Sequence, residues 1–275
     1  MIVVTGATGN VGRPLVRALA AAGEQVTAVS RRTPPAPLPA GVRHHRADLT
    51  EPRNLKPALD GADTLFLLTS GDFMAAGGDL GSVLDAVRDG GVQRIVLLSS
   101  QAVGTGELPS DMEDAVRQSG LQWTVLRPGS FHSNTLQWAE AVRGRRTVTA
   151  PFGDVALPTV DPGDIAEVAT VALRDAAHAG RVYELTGPAA VSPREQAAAI
   201  GDALGEPVSF VEQSRSEARA AMVRFMPEPV VERTLDILGA PSAGLRRVSP
   251  DIERLLGRPP RAFARWAADN IAAFR

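Results

Sequence analysis

Over the first 130 residues, short apolar runs alternate with stretches whose apolar positions recur every three or four residues. Ile2-Val3-Val4 is a short buried-strand signal, and Leu15, Val16, Leu19 and Ala22 then repeat at helical spacing up to Gly23. QVTAVS (25–30) predicts a second strand and VRHHRAD (42–48) a third, followed by a short helix over 54–60. DTLFLLTS (63–70), RIVLLSS (94–100) and WTVLRPG (123–129) predict three more strands. Between them, 81–91 reads as a helix with a glycine stop. The segment 110–120 reads as a helix with a Ser110 cap and an acidic first turn. Near-continuous Val, Ile and Leu runs are the signature of parallel strands covered on both faces. The expectation is an α/β fold: a doubly wound parallel sheet with helices on both sides.

The second half is less regular. Helices are expected over 164–176 and 193–205, with short strands at 181–186 and 208–212. This predicts a core over 1–150, with parts of 155–190 packing on it, and a smaller, mainly helical substrate lobe over 190–275. The proline-rich stretch 33–39 reads as a surface connection.

Composition narrows the classes. Of 275 residues, 44% are hydrophobic and 22% charged, as in ordinary globular proteins. A net charge of −2 provides no basic field for nucleic acid or an anionic membrane, and neither partner is expected. The chain has no cysteine, which excludes disulfides, zinc–thiolate sites and thiol catalysis and suits a reducing cytoplasm. Residues 2–4 are too short an apolar run for a signal peptide, and no run is long enough to span a membrane. Few Lys and Tyr beside abundant Ala, Arg and Pro is the composition of a GC-rich bacterial gene.

The first candidate chemistry lies where strand meets helix. Gly6, Gly9 and Gly12 form G-x-x-G-x-x-G in the turn TGATGNVG. Such glycines allow a tight turn and close approach of backbone to a pyrophosphate, and the helix that follows offers N–H groups and a partial positive charge to that anion. At the end of the second strand, where NAD sites place an acidic residue for the ribose 2′-hydroxyl, this chain has Arg31 and Arg32. A guanidinium pair suits a 2′-phosphate. NADP(H) is therefore expected in preference to NAD(H), which the turn also admits. Asp48 and Leu49, after the third strand, are candidates for the adenine edge.

Taken in order, TGATGNVG, ADLTEPRNL, GADTLFLLT, LLSSQAV, SGLQWTVLRPGSFHSN and VDPGDIAEVA resemble the NmrA-like group of atypical short-chain dehydrogenases/reductases, which includes type 2 NAD(P)H:quinone oxidoreductases. The resemblance runs over roughly residues 1–190 and implies a Rossmann-type fold. It further implies that the turn from Thr5 to Gly12, including Thr8, Asn10 and Val11, holds the pyrophosphate. Arg31 would face the 2′-phosphate, and Leu68, Thr69 and Ser70 would lie beside the ribose. Ser99 and Ser100 would end a strand near the nicotinamide, and Pro128, Gly129, Ser130 and Phe131 would shape its pocket. All stand at the carboxyl ends of predicted strands, where ligands bind in open parallel sheets.

The usual proton donor of short-chain dehydrogenases, the Tyr of a Tyr-x-x-x-Lys pair, is missing. The single tyrosine, Tyr183, has Gly187 four residues on. Quinone reduction needs no strong protein acid, because the cofactor carries the chemistry and the protein positions it. The polar groups expected near the nicotinamide are His132, a candidate acid or base, and Ser100, a candidate donor to a substrate carbonyl. Phe73, Met74, Asn134 and Trp138 are the expected substrate contacts, with Phe210, Met222, Phe225 and Met226 as further apolar wall. Asn134 and Asp164 also read as helix caps. His44 and His45 are adjacent in a strand, face opposite sides and form no metal site together; no metal is expected. The sequence reading is thus a cytoplasmic NAD(P)H-dependent oxidoreductase, monomer or homodimer, acting on a small quinone or other aromatic carbonyl compound, an aromatic polyketide among them. Oxygen-dependent oxidation of such a compound, and a non-catalytic redox sensor, stay open as alternatives.

Overall fold

The computed structural model describes residues 1–34, 36–69, 71, 73 and 77–275. The chain divides into two compact units.

The first unit comprises Met1–Pro128, Pro162–Leu185 and Arg254–Gly257. Its strands are β1 (Ile2–Val4), β2 (Val26–Ser30), β3 (Val42–Arg46), β4 (Thr64–Leu67), β5 (Arg94–Leu98), β6 (Gln122–Pro128) and β8 (Arg181–Leu185). Among the described residues these form one seven-stranded sheet in the order β3-β2-β1-β4-β5-β6-β8, every pair parallel. Helices α1 (Gly12–Ala21), α2 (Lys56–Leu59), α3 (Leu80–Asp89), α4 (Gln101–Gly104), α5 (Asp111–Gln118) and α7 (Pro162–Arg174) make the crossovers. Alternate strand residues Val3, Leu65, Leu67, Ile95, Leu97 and Val125 bury against Leu59, Val83, Val87 and Val116. Their neighbours Val4, Phe66, Val96 and Leu126 are equally buried and point to the other face, where α1 and α7 pack on each other. Burial on both faces accounts for the unbroken apolar runs of the sequence.

The second unit comprises Gly129–Asp161, Thr186–Glu253 and Arg258–Arg275. A 3₁₀ stretch, His132–Trp138, runs into α6 (Ala139–Arg145). Strands β7 (Thr147–Pro151) and β9 (Ser209–Gln213) pair in parallel as a separate two-stranded sheet. Helices α8 (Pro193–Leu204), α9 (Arg215–Met222) and α10 (Glu228–Gly239) follow. Its core holds Val142, Val148, Ile200, Phe263, Trp266 and Phe274.

The strand at 181–185, in the stretch of which parts were expected to pack on the core, joins β6 at the edge of the large sheet, with Leu126 opposite Tyr183. Four expectations are corrected. Residues 129–150, expected in the core, belong to the second unit, because β7 pairs with β9 there. Ser110 does not cap α5, since its hydroxyl donates to Asp114 at 2.6 Å instead. Neither Asn134 nor Asp164 is a cap: Asn134 sits inside the 3₁₀ stretch, and Asp164 is fully buried in the first turn of α7.

Candidate functional site

Strand order reverses about β1, which has β2 on one side and β4 on the other, and ligands of open parallel sheets bind at such a switch point. Thr5, just past β1, ties the two strand ends together. Its Oγ1 lies 3.1 Å from the carbonyl oxygens of Phe66 and Leu68 and accepts the Leu68 N–H at 2.8 Å. Gly6 follows with φ +62°, and a Cβ there would stand 2.9 Å from Leu68 Cδ2. Gly12 opens α1 directly under the turn; a Cβ on it would fall 2.1 Å from the Gly6 carbonyl oxygen. Only glycine lets the helix start so close to the strand end; within its first turn Arg13 donates to the Gly9 carbonyl at 3.1 Å and Pro14 has no N–H.

A cavity of about 380 Å³ lies over this turn. Gly6, Thr8, Gly9, Arg31, Arg32 and Asp48 line it, together with Leu49 and Leu68. Ser30 organises the arginine end: its hydroxyl donates to the Arg32 carbonyl at 2.7 Å and accepts from His44 Nε2 at 2.9 Å. Arg46 donates to the Arg31 carbonyl at 3.1 Å. Both arginine side chains remain exposed. The Asp48 carboxyl is held below its ordinary value, first by the Thr50 backbone N–H, against the opposing effect of burial, and further by the Thr50 side chain and the charge of Arg31. Of the other sequence candidates, Asn10 is exposed at the helix start and Val11 is buried beneath it, so neither lines the cavity by its side chain. Ser70 and Met74 lie outside the described residues. Phe73, expected at the substrate, is a buried core residue whose ring also lines this first cavity.

At the ends of β5 and β6 the structure brings the candidate Ser99 together with charged groups that the sequence reading passed over. Glu113 is 1% exposed and accepts from Ser99 Oγ at 2.6 Å, from Arg127 at 2.9 and 2.7 Å, and from Arg117 at 2.7 Å. Burial pushes the Glu113 carboxyl up, but the hydrogen bonds of Arg127 and Ser99 and the two arginine charges outweigh it and hold the group below its ordinary value. The partner of the Ser99 hydroxyl is therefore a carboxylate of the protein. Ser100 caps α4, its Oγ accepting the Ala102 N–H at 3.2 Å. Thr69 Oγ1 faces Met112 Sδ at 3.4 Å. Tyr183 is hydrogen-bonded to His178 at 2.8 Å.

The second unit has its own cavity, of about 420 Å³. The segment after β6 reaches it: Ser130 and Phe131 line it, held by a parallel bridge of Phe131 to Val160. Trp138, Leu157, Met222 and Leu238 supply apolar wall, and Asn134 stands at it too. No Asp, Glu, His, Tyr or Lys is among the described residues that line it; its one charged lining side chain is Arg145. Thr159 lines it as well, its hydroxyl buried without a hydrogen-bond partner among the described residues. Phe225, a sequence candidate for the wall, is instead 86% exposed, and Met226 packs on the small cluster around Val231.

His132 does not line this cavity. It is 1% exposed, donates from Nε2 to the Thr159 carbonyl at 2.9 Å and meets the rings of Phe263 and Trp266 edge-on. Aromatic packing, which has no local sequence signal, draws into the core a group that was expected as an acid or base near the nicotinamide. Among the described residues no group of three or more His, Asp or Glu is placed to hold a metal, and no helix is long and apolar enough to cross a membrane.

Residues 6–176 match the model of a family described as NAD(P)H-binding. The chain belongs to that family. It is 38% identical over 283 residues to the (4-alkanoyl-5-oxo-2,5-dihydrofuran-3-yl)methyl phosphate reductase of Streptomyces griseus, covering 100% of this chain and 99% of the relative. It is 34% identical over 289 residues to the NAD(P)H azoreductase of Xenophilus azovorans, covering 100% and 99%. The solved NADPH complex of the quinone oxidoreductase QOR2 from Escherichia coli superposes with a TM-score of 0.81 at 26% identity, covering 98% of this chain and 99% of that one. The chain is thus an NAD(P)H-dependent oxidoreductase, and its fold is also that of NmrA, a negative transcriptional regulator solved in complex with NAD, at a TM-score of 0.74 and 21% identity over 98% of this chain and 95% of that one.

Proposed function

We propose that the chain reduces a quinone or other electron-poor aromatic carbonyl compound at the expense of NADPH. The composition of the second unit's cavity carries this reading. Its wall is largely apolar and aromatic, its polar groups are neutral save Arg145, and among the described residues it presents no carboxyl, imidazole, phenol or ammonium group to deliver a proton. An acceptor reduced there has to tolerate the negative charge that arrives with a hydride. Quinones and extended conjugated carbonyls do so as phenolates or enolates, and water supplies the proton afterwards.

The residues of the first cavity fit the cofactor. The close approach of Gly12 to Gly6 presents the first turn of α1 to a pyrophosphate, and Arg31 and Arg32 offer guanidinium groups to a 2′-phosphate. Asp48 and Leu49 would border the adenine. When bound, the reduced nicotinamide supplies two electrons and one hydrogen as hydride. Phe131 and Trp138 would then hold a flat acceptor by its faces and exclude water from the second cavity.

A narrower version of the same reading is favoured by Arg145, which lines the cavity and pairs with no carboxylate among the described residues. The Streptomyces griseus relative is named for a conjugated carbonyl substrate that carries a phosphate. An acceptor with an anionic tail would engage Arg145. Arg145→Ala should then raise KM about tenfold for phosphate-bearing conjugated carbonyls and leave neutral quinones unchanged; equal KM for both would remove Arg145 from recognition.

The test of the reading itself is NADPH consumption by the pure protein with a panel of simple and polycyclic quinones, in air and under nitrogen. Turnover in both atmospheres is expected. Turnover confined to air would replace the reading with oxygen-dependent oxidation. NADPH binding with no consumption would replace it with a redox sensor.

A further inference from the structure

Helix α8 is anchored by a capping box, in which Ser192 and Glu195 satisfy each other's backbone N–H groups. Its inward face is Gln196, Ala197, Ile200 and Gly201. Three of these four are what a packed helix face requires; Gln196 is not. It is only 7% exposed and lines the second unit's cavity. Its backbone N–H is satisfied by Ser192 O at 2.9 Å, whereas its side-chain amide has no hydrogen-bond partner among the described residues. Unlike the Thr159 hydroxyl, this amide is not sealed from solvent: it opens on the cavity, where a ligand can reach it. Trp138, Phe131, Leu157 and Met222 supply the apolar wall around it, and the polar side chains that share the cavity, Asn134, Thr159 and Gln213 among them, are not hydrogen-bonded to it.

We propose that Gln196 is the group that grips the acceptor's oxygen, and that it makes this cavity selective for carbonyl ligands over hydrocarbons of the same shape. The inference rests on the reading of this cavity as the acceptor site. A glutamine suits the task at both ends of the reaction. The oxidised ligand offers a carbonyl oxygen, to which the Nε2–H donates. The reduced ligand offers a hydroxyl, which Oε1 accepts. An ionised carboxylate at the same place accepts only and would repel the carbonyl, so Gln196→Glu separates donation from mere polarity.

The experiment measures ligand binding without turnover. Quenching of tryptophan fluorescence follows 1,4-naphthoquinone, and a competition with naphthalene, the same bicycle without oxygens, follows the apolar contribution. Gln196→Met removes the amide and keeps the volume. It should weaken 1,4-naphthoquinone about fivefold to tenfold, leave naphthalene equal or tighter, and leave the Kd for NADPH unchanged. Gln196→Glu should weaken the quinone at least as much at neutral pH. Because Gln196→Met keeps the volume and breaks no hydrogen bond among the described residues, its Tm should hold, and Gln196→Asn provides a second, smaller variant with shortened reach and the same expected loss. Equal quinone affinity in wild type and Gln196→Met would overturn the role of Gln196 while leaving the cavity as the acceptor site. Failure of the wild type to bind 1,4-naphthoquinone would overturn both, and so would binding that Trp138→Phe leaves unaltered.

Discussion

Arg31 and His132 show what single residues give away and what they conceal. Arg31 follows a strand whose end is recognisable from composition alone, and the structure sets it at the cavity over the glycine turn. Arg31→Ala should weaken NADPH about tenfold or more and NADH little, as titration calorimetry would show, since only NADPH carries the extra phosphate. Equal loss for both would mean that the guanidinium does not read the 2′-position. His132 follows an equally clear strand end, yet it is buried against Phe263 and Trp266, more than 130 residues further along the chain. No local pattern announces a contact at that separation. His132→Ala should therefore lower stability by about 2–4 kcal/mol, through a cavity and an orphaned Thr159 carbonyl. Turnover per folded molecule should be unchanged; a selective loss of turnover with an unaltered Tm would restore it as a catalytic group.

At the level of elements, the first half was legible because each strand and helix carries its own period and its own stop. Boundaries moved by a few residues only, as with β3, which ends at Arg46. The seventh strand was not assigned to the sheet, because RVYEL is half exposed at an edge and lacks the apolar run of the inner strands. Glu113 was hidden for a related reason: an acidic first turn is ordinary on a helix, and only the packing of α5 turns that carboxylate inward to Ser99 and Arg127. Its charge ties α5 to the ends of β5 and β6. The folded-state pKa of Glu113 is lowered, so its contribution is complete above the ordinary glutamate value of 4.5 and is lost as pH falls through the folded value. Glu113→Gln should cost roughly 3 kcal/mol near neutral pH and flatten the acid limb of the stability curve below about pH 4.5. An acid limb identical in variant and wild type would mean that other carboxylates govern it.

For the molecule as a whole, the doubly wound parallel sheet could be anticipated because parallel crossovers leave few topologies and the glycine turn marks the first strand. The second unit was harder to read. Its two strands are separated by more than 50 residues, and its cavity draws on segments from Ser130 to Leu238. The chemistry of that cavity, apolar and without an acid, is therefore visible only in three dimensions, although the missing Tyr–Lys pair pointed the same way. The central claim is that the chain spends NADPH on an acceptor that needs no acid from the protein. The most direct measurement is a single-turnover titration under nitrogen, with enzyme, NADPH and 1,4-naphthoquinone in equal amounts and both cofactor and quinone followed by absorbance. The account predicts that one NADPH disappears for each quinone reduced, at a rate nearly independent of pH between about 6 and 8, where no protein acid has to be recharged. Tight binding of NADPH with no loss of either absorbance, or a rate that follows the ionisation of a single protein group, would contradict it.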